Sequence, residues 1–195
     1  MAVDDARLAA LARRAAHGER AAFASLCAAL EPEVWRYCRA LLAGDDEAAA
    51  DAAQDTLVRA ATAIRDFRGD APVRRWLLAI ARRAVADELR RRQRRRRLQE
   101  RLEVRLAPTG PAPSAEAAST VEADELLAAL PLPLRQALVL TQLLGCSYED
   151  AAAILGCRLG TVRSRVHRAR ERLIAEHRAH HEESETGTAA TRSSG

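Results

Sequence analysis

The chain has 195 residues, of which 48% are hydrophobic, 3% aromatic and 30% charged, with a formal net charge of +4. That length allows one domain or two small ones with cores of Ala, Leu and Val, and it excludes a large aromatic core. All 31 basic residues are arginine. β-Branched runs are absent, and no window nears the ~20 apolar residues of a membrane span, so an all-α protein with no membrane insertion is expected.

The charge is unevenly spread. Residues 1–70 carry nine Arg against twelve acids, residues 71–105 thirteen Arg against four acids, and residues 158–178 seven Arg against two acids. Two basic zones suit a polyanion, and the acidic zone suits a different partner. Cys27, Cys38, Cys146 and Cys157 form no CxxC and no ligand-spaced pair with His. They read as small apolar residues in a reducing cytoplasm, with no metal and no cofactor expected. No signal-peptide pattern opens the chain, which adds to the cytoplasmic expectation.

In chain order, a first helical module spans 5–97. Phe23, Leu26, Cys27 and Leu30 keep helical spacing; Pro32 then interrupts, so a new helix is expected near Glu31. Gly44, Asp45 and Asp46 end that helix and begin the next, which runs to about Phe67. A Gly69–Pro72 loop precedes a long helix from about Val73, with Trp76, Leu77, Ile80, Ala84, Val85 and Leu89 on its apolar face. Residues 98–122 read as a flexible linker with Pro108, Pro111 and Pro113. A second helical module spans 123–178, with Pro131 and Pro133 at a joint between helices, and residues 179–195 read as a disordered tail. The fold expected is thus two small helical bundles on a flexible linker.

The second module contains a helix-turn-helix. Ser147 and Asp150 have capping-box spacing, Gly156 suits a left-handed helix end, and a second helix follows from about Arg158–Thr161. At ~100° per residue Val162, Val166, Ala169 and Leu173 share one face and point to a core. Arg163, Ser164, His167 and Arg168 lie opposite, where arginine forks and single hydrogen bonds fit base edges in a major groove. Arg165, Arg170 and Arg172 flank that face, as phosphate contacts do. The competing explanation is a solvated face whose arginines pair with Glu171 or Glu176.

LPLPLRQA (130–137), SYEDAAAILG (147–156) and GTVRSRVHRAR (160–170) closely resemble the C-terminal domain of bacterial sigma factors. ADAAQDTL (50–57), DFRG (66–69) and WLLAIARR (76–83) resemble segments of that family's other DNA-binding domain. The two-domain layout is that of the extracytoplasmic-function (ECF) group. The resemblance implies a non-enzymatic transcription initiation factor that is a monomer when free, binds core RNA polymerase and directs it to promoter DNA. In those terms 5–97 is the region 2 domain and 123–178 the region 4 domain. Arg163, Ser164, His167 and Arg168 would read the minus-thirty-five element. Phe67, Arg68, Arg74, Arg75, Arg82 and Arg83 would recognise and melt the minus-ten element, where unstacked bases need pockets and cations. Asp51, Gln54, Asp55 and Leu57 would dock on the coiled coil of the β′ clamp, while the polymerase flap and an anti-sigma factor are further implied partners. Arg83 and Leu57 depart from the Asn and Phe common in the family. Trp76 reads as core, and Arg90–Arg97 as a phosphate rail or a self-repelling helix end.

Two other readings compete. A stand-alone helix-turn-helix regulator would need a dimer interface or an effector domain, and neither pattern is visible. An enzyme would need a phosphate loop, a nucleophile elbow or a metal cluster; none is visible, and His177 and His181, spaced i and i+4, lie in a polar C-terminal stretch. A further expectation follows from the charge asymmetry: the basic faces fold onto the acidic N-terminal segment when polymerase is absent.

Overall fold

The computed structural model describes the backbone of residues 5–101 and 123–192, and side chains over 5–98 and 123–178. Most of the expected linker, and residues 193–195, lie outside that range. The described residues form helices and no strand. In the first module α1 is Asp5–Ala16, α2 Arg20–Leu41, α3 Asp46–Ala63 with a 3-10 turn at Ile64–Asp66, and α4 Val73–Arg101. In the second, α5 covers 123–129, α6 Leu132–Leu138 runs into a π turn at Val139–Leu143, α7 is Tyr148–Leu155 and α8 Leu159–Arg192.

One expectation is corrected here. Pro32 does not split α2 but lies inside it. Proline removes one backbone donor and crowds the carbonyl four residues earlier, at a cost of ~3 kcal/mol. Leu26 and Leu30 before it, and Val34, Tyr37, Cys38 and Leu41 after it, are all buried on the same side. One continuous helix keeps both halves in the core, so tertiary packing outweighs the local preference.

The core is made of small residues. Ala48, Ala49, Ala52, Ala53 and Ala60 of α3 are buried, which lets α3 lie close to α2 and α4. Thr56 is fully buried among them and satisfies its hydroxyl by donating to the Ala52 carbonyl at 2.7 Å. Asp45 caps α3, accepting from the Ala48 N–H at 2.9 Å. The turn before it holds Ala43 at φ 60° and Gly44 at φ 74°. The left-handed region costs an L residue with a Cβ roughly 1–2 kcal/mol. Ala43→Gly is therefore expected to raise stability by ~0.5–1 kcal/mol after glycine's own entropy cost, read as a higher urea midpoint at unchanged slope.

The four cysteines are free, with Cys38 and Cys146 buried and Cys27 and Cys157 half-buried. Burial pushes the Cys38 thiol up to about 12 and the Cys146 thiol to about 11. Both stay protonated at neutral pH and act as small apolar groups.

Past the second module the helix outruns the expectation. The backbone of α8 is helical to Arg192, whereas the composition pointed to a structureless tail from residue 179. Ala, Glu and Arg, all strong helix formers, carry it there despite Gly187.

The two modules touch, and a single core cluster joins them. Arg39 of α2 forks onto Asp124 of α5 at 2.8 and 3.0 Å and also holds Asp46 at 2.7 Å. Arg135 of α6 donates to the Leu41 carbonyl at 3.1 Å. Arg74 of α4 holds Glu33 at 2.7 and 2.8 Å and donates to the Leu144 carbonyl at the end of the π turn. Arg75 reaches Asp150 of α7 at 3.2 Å. This is not the contact read from charge. Arg39, Arg74 and Arg75 of the first module grip acids and a carbonyl of the second, Arg135 returns one contact to the Leu41 carbonyl, and the arginine face of α8 stays in solvent.

Candidate nucleic-acid interface

The helix-turn-helix is built as its local chemistry dictates. Ser147 caps α7, its hydroxyl oxygen accepting from the Asp150 N–H at 2.9 Å, and the hydroxyl donates to the Asp150 carboxylate at 2.9 Å. Aspartate is one methylene too short to return to the Ser147 backbone, so it pairs with the side chain. Gly156 closes α7 at φ 66°, ψ 40°, the left-handed conformation that glycine adopts at least cost. The chain then turns straight into α8.

Along α8, Val162, Val166 and Ala169 are buried and Leu173 is half-buried against the core. They fix the helix rotation. Arg163, His167 and Arg168 are exposed on the other side; Ser164 is half-buried, its hydroxyl donating to the Thr161 carbonyl at 3.3 Å. Among the described residues Arg163, Arg168 and Arg172 make no ion pair. Glu171 pairs instead with His167 at 3.3 Å. The flanking residues differ from one another. Arg172 is exposed, Arg170 donates to Gln142 of the π turn, and Arg165 is half-buried with its guanidinium 3.8 Å from the Cys157 sulfur.

The six residues expected at the melting site divide. Phe67 is half-buried and tilts onto Trp76, ring centroids 5.3 Å apart. That pair closes the base of the Gly69–Pro72 loop and leaves Trp76 partly accessible rather than fully in the core. Arg68 and Arg83 are exposed. Arg74 and Arg75 are occupied by the second module, and Arg82 is half-buried with its Nε enclosed and unpartnered.

On α3, Asp51 and Gln54 are exposed and Leu57 is half-buried. Asp55 is held by Arg59 at 2.8 Å, and Arg59 also reaches Asp87 of α4 at 2.8 Å. Those hydrogen bonds, to Asp87 first and then Asp55, raise the Arg59 guanidinium, and Arg59 holds the Asp87 carboxyl below its usual range. The exposed apolar residue of this face is Val58, 60% accessible and one turn beyond Gln54. Reading only the matched segment stopped one residue short of it; continuing the helical face from Asp51 and Gln54 would have reached it.

A further surface was not read from the sequence. Ala123, Leu126 and Leu127 of α5 and Leu173, Ile174, His177 and Arg178 of α8 line an open apolar groove of about 470 Å³. Leu173 marks the end of the α8 stripe, but its pairing with α5 is a tertiary fact. Among the described residues no cluster of His, Cys, Asp or Glu is arranged to hold a metal ion, and His181 falls outside the described side chains. Likewise, among the described residues no helix is long and apolar enough to cross a membrane.

Comparison with known proteins bears on both modules. The family model for sigma-70 region 2 matches residues 26–95, and that for sigma-70 region 4 matches residues 120–173. The chain is 41% identical over 175 residues to the ECF RNA polymerase sigma factor SigC of Mycobacterium tuberculosis, covering 90% of this chain and 94% of that one. It is 37% identical over 137 residues to the ECF RNA polymerase sigma factor EcfG of Rhodopseudomonas palustris, covering 69% and 74%. Its fold is similar to that of CnrH, solved in complex with the cytosolic domain of CnrY (TM-score 0.71, 30% identity, 90% and 99% covered). It is also similar to the sigma factor RpoE of Bartonella quintana, solved with the anti-sigma factor NepR (TM-score 0.65, 31% identity, 77% and 93% covered). With both regions matched in order and SigC covered over 94% of its length at 41% identity, the chain belongs to the sigma-70 family as an ECF sigma factor, a promoter-specific transcription initiation factor.

Proposed function

We propose that Arg163, Ser164, His167 and Arg168 read the minus-thirty-five duplex, with Arg165, Arg170 and Arg172 on the neighbouring phosphates. The observation that carries this is an exposed cationic face, with no ion pair on Arg163 or Arg168, on the second helix of a capped helix-turn-helix. Phe67, Arg68, Arg74, Arg75, Arg82 and Arg83 serve the minus-ten element, where the loop, the aromatic pair and the cations supply a place for unstacked bases. Asp51 and Gln54, with Asp55 and Leu57 behind them, dock on the coiled coil of the β′ clamp. The groove between α5 and α8 offers an apolar seat to the polymerase flap. An anti-sigma factor is a further partner of the type in the RpoE complex. The chain acts in the cytoplasm and carries no catalytic chemistry of its own. Runoff transcription by purified core polymerase, with and without this protein, tests the reading: start-site selectivity should appear only with it, and its absence sinks the assignment.

The junction between modules favours a resting state in which the free chain is closed. Arg74 and Arg75 are held there by Leu144 and Asp150, so they are unavailable to DNA until polymerase separates the modules. The Arg39–Asp124 and Arg75–Asp150 pairs are only partly shielded, so salt weakens them. Small-angle scattering of the free protein is expected to give a compact profile that expands as salt rises. Asp124→Ala should shift that expansion to lower salt, and an extended, salt-insensitive profile would remove the closed state.

A further inference from the structure

The arginine run of α4 is not one feature but two. Its first part is built into the fold. Arg90 holds Asp87 at 2.5 Å, Arg91 holds Glu88 at 2.9 Å, and Arg92 reaches Asp45 at 2.8 Å and Glu88 at 3.3 Å. Glu88 is 7% exposed, so these pairs compensate a buried carboxylate and tie α4 to the start of α3. Beyond Arg92 the helix leaves the bundle. Every residue from Gln93 to Leu98 is exposed, and even Leu98 is 59% accessible.

Nothing in the fold accounts for cations at Arg94 and Arg97. Among the described residues neither makes an ion pair, and like charges one turn apart destabilise a helix. At 100° per residue Arg83, Arg94 and Arg97 fall within about a 60° arc, with Arg90 between them already held by Asp87, opposite the buried Leu77, Ala81, Ala84, Val85 and Glu88. This column starts at Arg83, about 15 Å into α4 from the Gly69–Pro72 loop, and runs about 21 Å further along the helix to Arg97, at 1.5 Å per residue. That is roughly the length of six base pairs of duplex, in which phosphates carry one charge per ~1.7 Å of axis. The region 2 match ends at residue 95 and the region 4 match begins at residue 120, so Arg97 lies outside both.

We propose that the protruding end of α4, through Arg94 and Arg97, is a separate phosphate-binding arm that grips duplex DNA between the two promoter elements without reading its sequence. The place follows from chain order: the arm lies between the module that melts DNA and the module that reads the upstream element. A helix-borne column of arginines fits a regular line of phosphates, and it carries no base-reading partner such as Asn or Ser at the matching positions.

The test is promoter binding by the holoenzyme, assembled from core polymerase and either wild type or the double variant Arg94→Gln, Arg97→Gln, measured from 50 to 200 mM salt. Each lost phosphate contact lowers the slope of log affinity against log salt by ~0.9, so the double variant should lose about 1.8. Across that salt range wild type should lose roughly 12-fold more affinity than the variant. The loss should be equal on promoters of different sequence, and the melting temperature should hold or rise. An unchanged slope, or a loss confined to one promoter sequence, overturns the arm. A wild-type holoenzyme that shows no promoter binding would instead sink the reading of the chain as a promoter-directing factor, so the two failures are distinguishable.

Discussion

Arg168→Ala is expected to cost ~1–3 kcal/mol of discrimination at one position of the upstream element, a loss of about 5- to 150-fold in preference for the correct base pair. The structure makes the expectation specific. Arg168 is exposed, and among the described residues its guanidinium makes no ion pair and one hydrogen bond, a long 3.5 Å contact to the Ser164 hydroxyl. Removing it leaves no buried group unsatisfied, so stability should move by less than ~0.5 kcal/mol. Arg172→Ala is the contrast. It sits on the flank, so its loss should weaken all promoters alike and lower the salt slope by ~1. Competition binding of the holoenzyme to promoters varied one base pair at a time separates the two. A uniform loss for Arg168→Ala would move it to the phosphate set.

Asp51→Ala combined with Gln54→Ala should weaken capture by core polymerase by about 2 kcal/mol, or some 30-fold, the size of an interface hot spot. Both side chains are exposed on α3, and the buried alanines on its other side are untouched, so melting should be unchanged. Asp55→Ala is expected to behave differently. Its carboxylate is already engaged by Arg59, which is braced by Asp87, so its removal disturbs a pair inside the protein as well as the docking face. Titration of labelled protein with core polymerase gives both affinities. Wild-type affinity in the Asp51–Gln54 double variant would remove the docking assignment.

The local physics of the helix-turn-helix was legible in the residues themselves. The Ser147 cap, the Gly156 turn and the Val162–Val166–Ala169 stripe each follow from local geometry, and together they set which side of α8 faces solvent. The closed junction was not legible. Charge totals predicted attraction between basic and acidic zones but gave the wrong partners, because Arg74 and Arg75 are satisfied by one carbonyl and one carboxylate brought together by the π turn and α7. Pro32 misled for a related reason. Its local cost is real, but the apolar residues on both sides of it share one face of the core. Within the arginine run, the positions of Asp45, Asp87 and Glu88 decide that Arg90, Arg91 and Arg92 are held in ion pairs.

The sequence by itself determined the helical character of both modules, their order along the chain and the polar face of α8, because propensity, capping and 3.6-residue periodicity act within a few neighbouring residues. Only the tertiary structure decided how the modules meet, which arginines are occupied, and where α4 leaves its bundle. Those outcomes depend on pairs such as Arg39 with Asp124, 85 residues apart, whose encounter no local rule encodes.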